Sequence, residues 1–164
     1  MRFSKRIASA TILAGLFLLA GCGFHLRGDE PLPASLGTVA VVGDAFDPLV
    51  QGLRRQLEAA GARVVDDGSG SALRLLNSRF ERRTLSVGAD GRVRERELTL
   101  SARFDLRSAA GGTLIESQEL QVVREQLYDE TQVVGRAEEE TFVRREMERD
   151  LVAAILRRIR AQGG

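Results

Sequence analysis

At 164 residues, with 43% hydrophobic and 29% charged residues, the chain carries enough apolar material for one ordinary folded domain and is unlike a disordered polymer. All but Lys5 of its 24 basic residues are arginine, yet the formal net charge is only +1, and setting aside Arg2, Lys5 and Arg6 leaves a slightly acidic remainder with no global pull toward nucleic acid. One cysteine and one histidine exclude an internal disulfide and a multi-cysteine zinc centre, so no metal is expected.

The first segment reads as an address. Arg2, Lys5 and Arg6 precede an apolar run from Ile7 to Ala20, and small residues follow, which is the layout of a secretory signal peptide over residues 1–21. The run is shorter than the roughly 20 residues that span a bilayer as a helix, so a retained membrane helix is not expected. Leu19-Ala20-Gly21-Cys22 resembles the bacterial lipobox. That chemistry needs a thiol that can be alkylated, preceded by small residues that fit the peptidase. The resemblance implies that Cys22 becomes the mature amino terminus, carrying an S-diacylglycerol and an N-palmitoyl chain. Two or more such chains hold a protein stably at a bilayer, at about 0.8 kcal/mol per buried methylene. Gly23 stands where the inner-membrane retention signal would place Asp, which favours the outer membrane. A lipidated sulfur is neither nucleophile nor ligand, so His25, three positions on, has no chemical partner. No cofactor is expected beyond the lipid anchor itself.

Residues 22–37 read as the lipidated terminus and a tether, extended by Pro31 and Pro33 and closed by Gly37. "TVAVV" (38–42) is a short buried strand by its apolar, β-branched run. Asp47-Pro48 offers an N-cap followed by proline at the first helical position, and Leu49, Leu53 and Leu57 line one face of the helix until Gly61. "ARVV" (62–65) leads toward a brief strand, and 66–71 is a loop. From Ala72 the period becomes two: Leu98, Leu100, Ala102, Phe104 and Leu106 alternate with polar residues. The turns "GADG" (88–91) and "AAGG" (109–112) predict a three-strand meander. Its outer portions, 79–84 and 92–97, are too polar to be covered on both faces; a solvated arm and a ligand- or partner-facing surface are both open. After a loop at 128–136, Val143, Met147, Leu151, Ile155 and Ile159 recur every four residues along a closing helix. Its first turn is rich in glutamate (138–140) and its last in arginine, as the helix dipole favours. The order β-α-β-β-β-α predicts an α+β two-layer sandwich over 38–164, with about four strands covered by two helices.

No glycine-rich phosphate loop, paired histidines or nucleophile elbow marks an enzyme. Taken together, the lipobox with "CGFHLRG" (22–28), the element order and "YDETQVVGRAEEETFVRREM" (128–147) resemble the LptE family of lipopolysaccharide-assembly lipoproteins along nearly the whole mature chain. The resemblance implies a non-enzymatic plug inside the LptD barrel of the outer membrane. Such a plug assists folding of the barrel, helps insert lipopolysaccharide into the outer leaflet and binds that lipid directly. The family's basic position before the last helix corresponds to Arg136. Its second basic position, at a hairpin tip, fails at Ala89, which leaves Arg92 and then Arg94 just past the turn. Phosphates suit arginine forks, although basic residues on this arm equally suit an acidic barrel wall. The alternatives are a generic outer-membrane lipoprotein adaptor of the pilotin kind and, more distantly, a lipid-tethered hydrolase.

Overall fold

The computed structural model describes residues 32–127 and 136–162, without the side chains of residues 136 and 137. The signal segment, Cys22, His25 and most of the loop expected before the last helix lie outside the described residues. Strand β1 (Thr38–Val42) leads to helix α1 (Pro48–Ala59), strand β2 (Arg63–Val64), the long strands β3 (Ser71–Val87), β4 (Val93–Arg107) and β5 (Thr113–Leu127), and helix α2 (Arg136–Gln162). They make one five-stranded mixed sheet in the order β2-β1-β3-β4-β5, with both helices on one face. β1 runs parallel to β2 and β3, and the meander is antiparallel.

The α+β class and the element order agree with the sequence, but the strand count is five where about four were expected. The additional strand is the Arg63–Val64 pair, bonded in register with Thr38 and Val39. Two residues are too few to display a two-residue period; β1's open edge makes this strand, not local pattern. The stretch expected as an extended tether also differs in its last residues. Ala34–Leu36 form a 3-10 turn and the Leu36 side chain is fully buried. Prolines and a glycine signal an irregular path, but they do not reveal that one leucine on it reaches the core.

Local chemistry explains the elements. Asp47 accepts from the Leu49 amide at 2.8 Å, and Pro48 opens α1. Leu49, Val50, Leu53 and Leu57 face inward, as their spacing requires. Both meander hairpins share one construction. The amides of Gly91 and Gly111 donate to the carbonyls of Gly88 and Ser108, and each glycine takes a positive φ, of 77° and 84°. That is a type I turn closed by a left-handed residue, which matches the right-handed strand twist. Gly70 is needed for another reason. At φ 91° a Cβ there would meet the Thr38 carbonyl oxygen at 2.3 Å, where β3 enters beside β1.

The core lies between the helices and the inner halves of the strands. Leu73, Leu98, Leu100, Phe104 and Leu106 meet Leu53, Met147, Leu151, Ile155 and Ile159, all nearly or wholly buried. Each contributes about 1.5–3 kcal/mol against exposure. Val143, the first member of the expected α2 stripe, is only partly buried against this cluster. Beyond Leu75 no residue of β3 is buried, although Leu100 and Leu98 opposite Phe80 and Arg82 still are, so the meander extends as an arm past the core only beyond that row.

Candidate functional site

Alternation divides the arm into two chemically different faces. Phe80 pairs with Leu100 and Val122 across the strands, and Arg82 with Leu98 and Arg124; these point toward α2. Arg82 holds Glu140 with Nε at 2.8 Å and a second nitrogen on the same oxygen. Arg124 pairs with Asp150, and Gln118 donates to Gln162 at 2.9 Å. Arg82 and Arg144 each place a guanidinium carbon 5.0 Å from the Phe80 ring centroid. Polar bonds therefore fix the whole length of α2 on the meander, and the apolar stripe supplies the energy.

On the opposite face no described element covers β3–β5. Its cross-strand rows read Asn77–Arg103–Glu119, Arg79–Ser101–Gln121, Glu81–Thr99–Val123 and Arg83–Glu97–Glu125. Arg103 reaches Glu119 at 2.9 Å and Arg79 reaches Glu81 at 3.3 Å. At the inner end Arg74 grips Asp105 with two nitrogens, one at 2.7 Å, and Arg107 Nε lies 3.9 Å away. The Arg74 bond holds the Asp105 carboxyl below the usual carboxylate range against the opposing effect of burial, and Arg107 adds to the lowering. The face is thus polar, mixed in sign and largely self-neutralised.

Arg92 and Arg94 converge at the hairpin tip on one carboxylate: Arg94 meets Asp90 at 2.9 Å, and Arg92 Nε lies 3.9 Å from it. Two guanidiniums against one carboxylate leave the tip with a net positive charge, in exposed pairs that are cheap to exchange. Arg136 is the first residue of α2 and not the last of a loop. The glutamates behind it suit the positive end of the helix, so the helix starts one residue early. The Arg82–Glu140 bond sets α2's first turns beside the outer arm. From Leu98, opposite Arg82, the chain runs six residues out along β4 to Arg92, just before the strand begins, roughly 20 Å of extended chain. Arg136 lies four residues before Glu140, roughly 6 Å of helix. The two expected basic positions therefore share one end of the sandwich without lying in one cluster, and Cys22 lies outside the described residues.

Comparison with known proteins adds the family. The LptE family model, described as Lipopolysaccharide-assembly, matches residues 36–159, most of the chain. This chain belongs to the LptE family. The LPS-assembly lipoprotein LptE of Pectobacterium atrosepticum is 30% identical over 155 residues, covering 91% of this chain and 83% of that protein. The LPS-assembly lipoprotein LptE of Photorhabdus laumondii is 41% identical over 96 residues, 56% of this chain, and the chain spans only about half (53%) of its length. The solution structure of lipoprotein B from Nitrosomonas europaea is 29% identical at a TM-score of 0.71, covering 85% of this chain and 91% of that one. The minor lipoprotein from Acinetobacter baumannii is 26% identical at 0.66, covering 80% and 94%. The fold is thus shared with these two lipoproteins. No helix among the described residues is long and apolar enough to cross a membrane.

Proposed function

We propose that this protein is an outer-membrane lipoprotein that occupies the lumen of the LptD barrel, assists its folding, and helps insert lipopolysaccharide into the outer leaflet. It does so without catalysis, facing the periplasm and held by acyl chains on Cys22. The observation that carries this reading is the open face of β3–β5: polar, of both signs, and many residues long. Outer-membrane barrels have polar interiors. A surface of paired arginines and glutamates can be enclosed there by exchanging water for wall side chains, whereas an apolar face would seek the bilayer or another core. The family match over residues 36–159 supports the same role.

Direct lipid binding follows from Arg92, Arg94 and Arg136 at one end of the sandwich. A phosphate presents more acceptor sites than Asp90, so it can draw Arg92 and Arg94 from a shared carboxylate into its own fork. Arg92, the more loosely held of the two, gives up least. Affinity purification of the full lipoprotein after mild detergent extraction tests the reading. Co-recovery of the LptD barrel is expected, and a secretin ring, or no barrel, would sink it.

A further inference from the structure

Between the outward surfaces of α1 and α2 lies a groove of about 740 Å³ that the barrel and hairpin-tip reading does not use. Its existence begins with Gly52. The absent side chain lets α1 approach Val152 so closely that a Cβ there would meet Val152 Cγ2 at 2.9 Å. That contact makes a shallow apolar floor of Gly52, Val152 and Ala153, and Phe142 stands at the wall with 55% of its surface exposed. Arginines rise on both sides: Arg55 from α1 and Arg145 from α2. Among the described residues Arg55 has no carboxylate partner. Arg145 donates Nε to the Thr141 carbonyl at 3.3 Å, and among the described residues its two terminal nitrogens have no partner. The one acid in the lining, Glu148, is engaged by Arg144 at 3.1 Å.

Two guanidiniums, one from each helix, lining a groove with an apolar floor match a ligand with an anionic head and a hydrocarbon tail. Each fork can take two oxygens, and a phosphate monoester dianion carries enough acceptors for both. The volume falls within the roughly 300–1,000 Å³ of small-molecule sites. We infer that the α1/α2 groove binds an acyl-bearing phosphate monoester drawn from the membrane, with Arg55 and Arg145 clamping the phosphate and Phe142, Val152 and Ala153 receiving the chain. This site shares no residue with the set Arg92, Arg94 and Arg136 and stands whether or not those residues bind lipid.

The test uses the full lipoprotein in phosphatidylcholine vesicles doped with a phosphatidic acid whose acyl chain carries a diazirine. After irradiation, label should map to residues 51–56 and 142–153, about tenfold above that from a diazirine phosphatidylcholine. The Arg55→Gln, Arg145→Gln double variant should lose about tenfold of that label, while Arg92→Gln retains it. Should the double variant melt early, Ala153→Phe fills the floor with both guanidiniums intact and must also remove the label. The inference is overturned by equal labelling from the two probes, by label confined to residues 85–94, or by label indifferent to these variants.

Discussion

The Asp105 carboxylate is 3% exposed and gripped by two nitrogens of Arg74, on a sheet face that no described element covers. Because Arg74 lowers its folded pKa below the ordinary value of about 3.9, the pair's stabilisation is fully present above that value and disappears as pH falls through the lower folded one. Asp105→Asn should therefore cost about 1.5–3 kcal/mol at neutral pH by urea unfolding, since a charged hydrogen bond to a buried group is lost. The gap from the parent should close below about pH 4; a gap that persists undiminished through strong acid would remove Asp105 from this account. At the tip, Arg92 and Arg94 share one exposed carboxylate, so their folding role is slight. Arg92→Asp and Arg136→Asp should each weaken lipopolysaccharide binding, with melting free energy moved by no more than about 0.5 kcal/mol. Unchanged binding would strike that residue from the site. Cys22→Ala should leave an unprocessed precursor that incorporates no palmitate, and normal maturation of that variant would refute the lipobox reading. The tip arginines were legible from their place beside an Asp-Gly turn. Their common bond to Asp90 was not, because it depends on how the chain closes around Gly91.

Among the elements, α2 was the most legible. Its four-residue stripe predicts the core face, and Met147, Leu151, Ile155 and Ile159 are all fully buried. Ile155→Ala should cost about 2–5 kcal/mol and Val143→Ala clearly less, because Val143 only leans on the core; equal losses in thermal melts would contradict that order. Which residues of the meander lie under α2 was not legible, since alternation names two faces without saying which is covered. Phe80, Arg82 and Arg124 are on the helix side through contacts with residues far along the chain. The parallel β1–β3 junction was invisible for a related reason. Gly70 reads as one loop glycine among several until the Thr38 carbonyl is seen against it. Gly70→Ala should destabilise by about 2 kcal/mol or more, through positive-φ strain and the backbone clash. A neutral effect on unfolding would mean that the junction can open without loss.

For the whole molecule, one helical layer on one sheet face produces two surfaces with different uses. The helix layer completes the core, and the bare polar face of β3–β5 supplies the surface assigned to a barrel lumen. Gly43→Ala bears on the core layer alone, since a Cβ there would meet Val50 Cγ2 at 2.8 Å and Leu75 Cβ at 3.3 Å. It should lower the melting temperature and leave barrel recovery per folded molecule unchanged; lost recovery without lost stability would move the partner surface to the helix side. The sequence by itself determined the α+β class, the order of the elements, the core stripe and the family, because these rest on local periodicity, turn chemistry and short motifs. The tertiary structure alone decided the fifth strand, the burial of Leu36, the carboxylate shared by the tip arginines, and the groove lined by both Arg55 and Arg145. The physical reason is one of range. Periodicity and capping act within a few residues, whereas a sheet edge or an interhelical groove exists only when chain segments far apart in sequence are brought together.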